Sequence, residues 1–273
     1  MAPPPLSFPP DLAAPLTPYL PSPGSPSPRR PHVTLTFATS LDSAISLRPG
    51  TQTILSGPES KAMTHHLRSL HSAILVGAGT AVADDPGLNC RIGGCTSQPR
   101  PLVLDPNARW GVGSSSKVVM LAAAGQGLGP YIVVRKGAAV PEERRRVVEG
   151  VGGKFIPCPD RVVEEEEEGG GGFDWRDVLE VLRAEELDSV MVEGGGAVIN
   201  SLLRADNLPL VDSVIVTIAP TWLGKGGVVV SPDRPGGESG TVPAARLDDV
   251  RWCPLGEDVV LCGRPAIGMR TEG

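Results

Sequence analysis

Aromatic residues are scarce in this chain of 273 residues: four Phe, four Trp and two Tyr, 4% in all. Any core must therefore be aliphatic, and an apolar content of 40% is enough to build one. Positive charge is also in deficit. A formal net charge of −6 argues against a nucleic-acid binder or a basic membrane-surface protein. It leaves room for a small anionic ligand held by local cations or helix ends. No apolar run approaches the ~18 residues of a membrane span, and prolines interrupt any hydrophobic region of a signal peptide. The five cysteines (Cys90, Cys95, Cys158, Cys253, Cys262) are odd in number and contain no C-x-x-C pair. They read as reduced thiols in a cytoplasmic protein. The four histidines (His32, His65, His66, His71) show neither H-x-E nor H-E-x-x-H spacing, so no metal site is expected.

Proline and glycine are plentiful, and their clustering divides the chain. Twelve of the 29 prolines fall within residues 1–31, which predicts an extended, mobile tail with no helix or sheet ladder. Residues 265–273 read as a second, shorter tail, leaving 32–264 as the folded domain. The run EEEEEGGGG at 164–172 reads as a self-repelling surface loop.

Within the body, HVTLTFATSLD (32–42) alternates Val33, Leu35 and Phe37 with Thr34, Thr36 and Ala38, a strand with one more polar face. Ser56-Gly-Pro-Glu59 has the form of a capping box opening a helix to about Leu70, with Ala62, Met63, Leu67 and Leu70 inward. Further strands are expected at 71–77, 101–104, 117–121, 131–134 and 154–156, with a short charged helix at 141–148. Asp174 caps a helix to about Leu187. Strands at 213–218, 246–252 and 257–261 close the chain, the last two as an antiparallel addition to a mostly parallel α/β sheet.

Two stretches carry chemistry. In SVMVEGGGAVINSLL (189–203), a buried strand runs through Glu193, Gly194, Gly195 and Gly196 into an apolar run at helical spacing. Helix-start N–H groups with no Cβ in the way can cradle phosphate, although a bare glycine triplet serves equally as a tight packing turn. In GAGTAVADDPGL (77–88), Thr80 and Asp84 lie one helical turn apart and Pro86 ends the helix. They either cap a turn or line a cleft at a strand's carboxyl end.

Taken in order, VTLTFATSLD, ILSGPESKAMTHHLRSLHSAILVGAGTAVADDPGLNCR, RPLVLD, SVMVEGGGAVIN and VIVTIAPTWLG resemble the fungal-type pyrimidinone 5′-phosphate reductases of riboflavin biosynthesis. These are similar to the reductase half of the bacterial bifunctional deaminase-reductase. The resemblance runs from about Pro31 to Leu261. It implies an α/β, dihydrofolate-reductase-like fold with a mostly parallel central sheet, antiparallel C-terminal strands and flanking helices. It also implies a homodimer, NADPH as hydride donor and a pyrimidine ribosyl phosphate as substrate. Carried over by position, Thr80, Asp84, Gly195, Gly196, Ala197, Val198 and Ile199 would contact the cofactor. Glu193, Arg68, Arg91 and Leu88 would hold the substrate and its 5′-phosphate, and Ser40 and Asp42 would approach the nicotinamide or the base. Simpler roles stay open: Arg68 as an exposed helix-end arginine, and Glu193 as a cap for the next helix. The zinc signature of the bacterial deaminase half is absent, since Pro157-Cys158-Pro159 lacks a second Cys at the required spacing. An enzyme of this fold acting on another pterin or pyrimidine, or a non-catalytic nucleotide-binding regulator, are the alternatives.

Overall fold

The structure, a computed structural model, describes residues 4–22, 30–159, 172–232 and 245–266. In chain order it opens with α1 (Pro10–Ala13) and a 3-10 turn at Thr17–Tyr19, followed by β1 (His32–Thr39) and β2 (Ala44–Ser46). The helix expected after Ser56 is α2 (Pro58–Ser69), and it leads into β3 (Ala73–Gly77) and α3 (Ala78–Asp84). Then come β4 (Arg100–Leu104), α4 (Lys117–Ala123), β5 (Tyr131–Arg135), α5 (Glu142–Glu149) and β6 (Lys154–Cys158). The second half holds α6 (Trp175–Ala184), β7 (Ser189–Gly194) and α7 (Gly196–Leu203), then β8 (Ser213–Ile218), β9 (Val228–Val229), β10 (Leu247–Leu255) and β11 (Asp258–Pro265).

One nine-stranded sheet, in the order β10-β11-β8-β1-β7-β3-β4-β5-β6, organises the chain. The seven strands from β8 to β6 are mutually parallel, whereas β11 runs antiparallel to β8, and β10 to β11. This is the expected α/β arrangement with its antiparallel C-terminal pair. Parallel strands joined by crossover helices are covered on both faces, which is why their sequences read as unbroken apolar runs. On one face Leu75, Val190 and Val192 pack with Val178 and Leu182 of α6 and Leu202 of α7. On the other, Ile74, Val103 and Ile132 pack with Val118 of α4 and Val148 of α5, while Met191 and Ile215 meet Met63 and Leu67 of α2.

The more polar face of β1 is interior. Thr34 is fully buried, its hydroxyl 2.8 Å from Nε2 of His71 and accepting from Ser213 Oγ at 3.2 Å. Polar groups here satisfy one another inside the core, as burial demands.

Three local expectations need correction, and one pair of strands was not foreseen. Residues 117–121 form the first part of α4, not a strand. A short apolar run is ambiguous on its own, and the alanines after it continue a helical face on which Val118 and Val119 are buried while Met120 is exposed. Ser56 does not cap α2. Gly57 is the N-cap and no side chain caps the first turn; Asp258 of β11 instead accepts from Gly57 N at 2.9 Å and from Ser60 Oγ at 2.6 Å. Leu70 is an exposed residue at the end of α2 rather than an inward one. The small antiparallel pair β2–β9 had no signal in sequence, being only two or three residues a side.

The proline-rich head is also not a loose tail where it is described. Residues 4–22 dock against α2, β10 and β11, with Leu16 and Tyr19 at 1% and 2% exposure in the core with Met63, Leu67 and Val260. Pro10 occupies the first turn of α1 and Pro18 the 3-10 turn, positions where a missing N–H costs nothing. Proline here also lowers the entropy lost on ordering. The Glu/Gly run 164–171 and the last residues, 267–273, lie outside the described residues.

Candidate active-site cleft

The parallel strands β1, β7, β3 and β4 all direct their carboxyl ends to one edge, and there a cleft of ≈ 930 Å³ opens. Crevices at this edge are where open α/β sheets hold ligands. Its floor is the turn from β7 into α7. Gly194 (φ 124°) and Gly195 (φ 42°) both sit where L side chains are strained, and α7 begins at Gly196 with no side chain capping its N-terminus. A Cβ on Gly195 would lie 2.8 Å from Thr80 Oγ1, and one on Gly196 would collide with Val228. The first-turn N–H groups of α7 thus face the cleft at close quarters, a site suited to an anion.

The cleft brings together Thr80, Asp84, Glu193, Gly195, Gly196, Ala197, Val198 and Ile199. Thr80 and Asp84 lie on the same side of α3, and burial pushes the Asp84 carboxyl up from its usual pKa against the pull of Lys117. Ile199 contributes to the wall although its side chain is buried in the core, at 1% exposure. Segment 49–53 and the ends of β1 and β2 close the opposite side, with Phe37 and Ile45 supplying apolar surface.

Five of the residues named from sequence do not line this cleft: Arg68, Leu88, Arg91, Ser40 and Asp42. Arg68 is neither exposed nor at a helix-end dipole position open to solvent. Its Nε and Nη2 donate to the two Glu193 oxygens at 2.7 and 2.6 Å, and Nη1 donates to Asn89 O at 3.0 Å. Burial opposes its charge, but the charge and hydrogen bonds of Glu193 outweigh that and hold the guanidinium pKa above its usual value. Glu193 consequently does not cap α7; it is the cleft-facing half of a two-pronged ion pair. Through Asn89 the same arginine braces segment 88–91, in which Leu88 is buried in a left-handed conformation (φ 48°). Arg91 lies beside His65, with Nε and Nη2 at 3.2 and 2.9 Å from His65 Nε2. Burial, with the nearby charges of Arg68, Arg91 and Lys61, pushes His65 down to about 3, so it is neutral at pH 7.

Ser40 and Asp42 have another task. Ser40 Oγ donates to Asp42 at 2.5 Å, and the carboxylate accepts from the N–H groups of Leu223 and Gly224 at 3.1 and 2.8 Å. The Ser40 bond, then the two backbone donors, draw the Asp42 pKa down to about 2. The pair pins the turn after β1 to the segment after β8. Sequence reasoning missed His65, although it sits three residues before Arg68 and hence on the same face of α2. It also missed Arg109, Arg176 and Arg204, which line the cleft from loops and helix ends whose proximity only the fold creates.

A parallel α/β sheet with an uncapped glycine turn in its carboxyl-edge crevice defines a class: enzymes that hold a phosphate-bearing ligand against strand ends. The family within that class is plain from comparison. The RibD C-terminal domain family matches residues 31–261, and the chain belongs to it. A reductase of Eremothecium gossypii, 2,5-diamino-6-ribosylamino-4(3H)-pyrimidinone 5′-phosphate reductase, is 42% identical over 265 residues, covering 94% of this chain and 97% of that one. The protein of the same name from Debaryomyces hansenii is 40% identical over 254 residues, covering 90% and 93%. Among solved structures, the riboflavin biosynthesis reductase Rib7 of Saccharomyces cerevisiae superposes with a TM-score of 0.74 at 37% identity, covering 94% of this chain and all of that one.

Proposed function

We propose that this chain is an NADPH-dependent reductase that converts 2,5-diamino-6-ribosylamino-4(3H)-pyrimidinone 5′-phosphate to its ribitylamino product, with residues 32–264 as the catalytic domain. The observation that carries this reading is the glycine turn from β7 into α7, facing Thr80 within a cleft large enough for a dinucleotide. NADPH, when bound, supplies the hydride that reduces C1′ of the opened, imine form of the ribose. The chain's own residues bind and orient. The N–H groups at the start of α7, at Gly196, Ala197 and Val198, take the pyrophosphate, Gly195 and Ile199 shape that turn through the Ile199 N–H bond to Gly195 O at 3.0 Å, and Thr80 and Asp84 contact the cofactor beside it. Glu193, held rigid by Arg68, presents carboxylate oxygen to the amino groups of the pyrimidine. Arg91 and Leu88, outside the cleft lining with the Arg91 guanidinium on the neutral His65, are assigned to the 5′-phosphate by the resemblance alone. The apolar wall at Phe37 and Ile45 keeps water from the reacting carbon.

In this reading the protein works in the cytoplasm as a homodimer. Trp252 and Val250, 58% and 45% exposed on the edge strand β10, offer apolar surface for a second copy. Sedimentation reporting a monomer at micromolar concentration would remove the dimer. The activity itself is tested by mixing the protein with NADPH and the pyrimidine ribosylamino phosphate and following cofactor oxidation. No oxidation with this substrate, but turnover with dihydrofolate or another pterin, would sink the proposal.

A further inference from the structure

The head reaches segment 88–93 from outside the sheet. Leu6 N–H donates to Arg91 O at 2.8 Å, and Gly93 N–H donates back to Leu6 O at 2.9 Å, pairing Leu6 with Ile92 as a parallel bridge. Pro5 lies so close to Gly93 that a Cβ there would be 3.3 Å from the proline ring. Two residues on, the Phe8 ring packs on His66 at 5.2 Å between centroids. The chain then descends through Leu12 and Leu16 into the core beside α2. The head is therefore tied at two places: to the core by Leu16, Tyr19 and Leu20, and to the backbone of Arg91 by Leu6.

Segment 85–99 between α3 and β4 contains no regular helix or strand. Arg68 donates to Asn89 O, Asn89 Nδ2 to Gln126 O, and Gln98 brackets Cys90, its Oε1 accepting from Cys90 N at 2.9 Å and its Nε2 donating to Cys90 O at 3.1 Å. The Arg91 N–H donates to His65 Nδ1 at 3.2 Å, and Ile92 N–H to Cys90 Sγ at 3.4 Å. The Arg91 carbonyl and the Gly93 N–H are taken by Leu6, so the head supplies the backbone bonds on either side of Ile92, while His65 also holds the Arg91 side chain.

We propose that residues 5–8 of the head are a positioning strap for Arg91, holding its backbone so that the guanidinium is in place before the substrate arrives. This rests on Arg91 as the phosphate grip. A long cation on a coil held by few backbone bonds must be further ordered during binding, and that ordering weakens affinity. Strapping the coil in advance removes this cost from the substrate step alone. NADPH binding, which uses α3 and α7, is unaffected.

The test uses calorimetric titration on the protein and two variants: deletion of residues 2–8, which leaves Leu16, Tyr19 and Leu20 in the core, and Leu6→Pro, which removes the N–H donor together with the leucine side chain. Each is titrated with NADPH, and with the pyrimidine ribosylamino phosphate in the presence of oxidised cofactor. Melting temperature is recorded alongside. Both variants should bind substrate about tenfold more weakly and NADPH within about twofold of the parent, as expected for lost pre-organisation. In an Arg91→Ala background the deletion should have no further effect on substrate binding, because the two changes remove the same contact. If Arg91→Ala alone leaves substrate binding unchanged, the phosphate-grip reading fails and takes the strap with it. If Arg91→Ala weakens binding but the strap variants bind as the parent does, the strap alone is wrong. Equal losses for substrate and NADPH, with a falling melting temperature, would mark the head as ordinary structure and also overturn it.

Discussion

Gly195 carries the sharpest residue-scale consequence. Its φ of 42° and its closeness to Thr80 leave no strain-free place for a branched side chain. Gly195→Val should weaken NADPH binding about tenfold or more, ~1.4 kcal/mol, with a much smaller effect on substrate. Gly111→Ala is the control, since a Cβ there meets nothing within 4 Å. Thr80→Val and Asp84→Ala should each raise KM for NADPH while leaving the melting temperature nearly unchanged; unaltered cofactor kinetics in both would return these residues to turn-forming roles. Protonation gives a separate handle. Burial pushes His71 down to about 4, whereas in the unfolded chain it titrates near 6.5, so unfolding takes up a proton between those values. Stability should therefore fall as the pH is lowered from 6.5 toward 4, by at most ~1.4 kcal/mol per pH unit from this histidine. His71→Gln should flatten that slope in urea titrations at several pH values. The glycine turn was legible in sequence as a turn from a buried strand into a helix, but the triplet alone did not separate a packing turn from an anion cradle. That Arg68 and Glu193 would bind each other was not legible, because they lie 125 positions apart and only the neighbouring courses of α2 and β7 unite them.

At the scale of elements, the ends of helices were harder to read than their existence. The span of α2 follows from Pro58 and the apolar spacing, yet the carboxylate that anchors its start is Asp258, 201 residues away from Gly57. Asp258→Ala should cost about 1–2 kcal/mol, because the Gly57 N–H and the buried Ser60 hydroxyl lose their shared acceptor. Chemical denaturation measures this, and a loss below the error of the method would mean that water replaces the carboxylate. The parallel strands were readable because their apolar runs are continuous and β-branched. Helix α4 was not: KVVML satisfies a buried strand and a helix face equally, and Ala122 and Ala123, which carry the helical turn onward, tip the balance only weakly. Within the cleft, α3 and α7 were legible as starts and stops, while segment 49–53, which completes the far wall, has no periodic signal at all.

For the molecule as a whole, the mostly parallel sheet and its antiparallel C-terminal pair followed from the alternation of strand and helix signals, but the strand order and the head did not. Proline density argues for a free tail. The four residues Leu12, Leu16, Tyr19 and Leu20 argue otherwise only once α2 and β11 supply a surface for them. Leu16→Ala should destabilise the protein by about 2–5 kcal/mol, the cost of a cavity at a fully buried leucine. A change of less than about 0.5 kcal/mol, the range of ordinary surface substitutions, would mean that the head packs loosely.

The head also imposes an order on synthesis. Tyr19 donates its hydroxyl proton to Asp249 O, 230 residues later, at 2.5 Å, and β1 is flanked by β7 and β8 from the last third of the chain. The part of the head's docking surface formed by β10 and β11 therefore leaves the ribosome more than 200 residues after it, although α2 follows early. During that interval Leu12, Leu16, Tyr19 and Leu20 are carried on a nascent chain whose core is incomplete. Prolines spaced among them keep this waiting segment from pairing as a strand with its neighbours. A composition that reads as a signature of disorder is thus a way for an early-made segment to stay soluble until its late-made partner arrives.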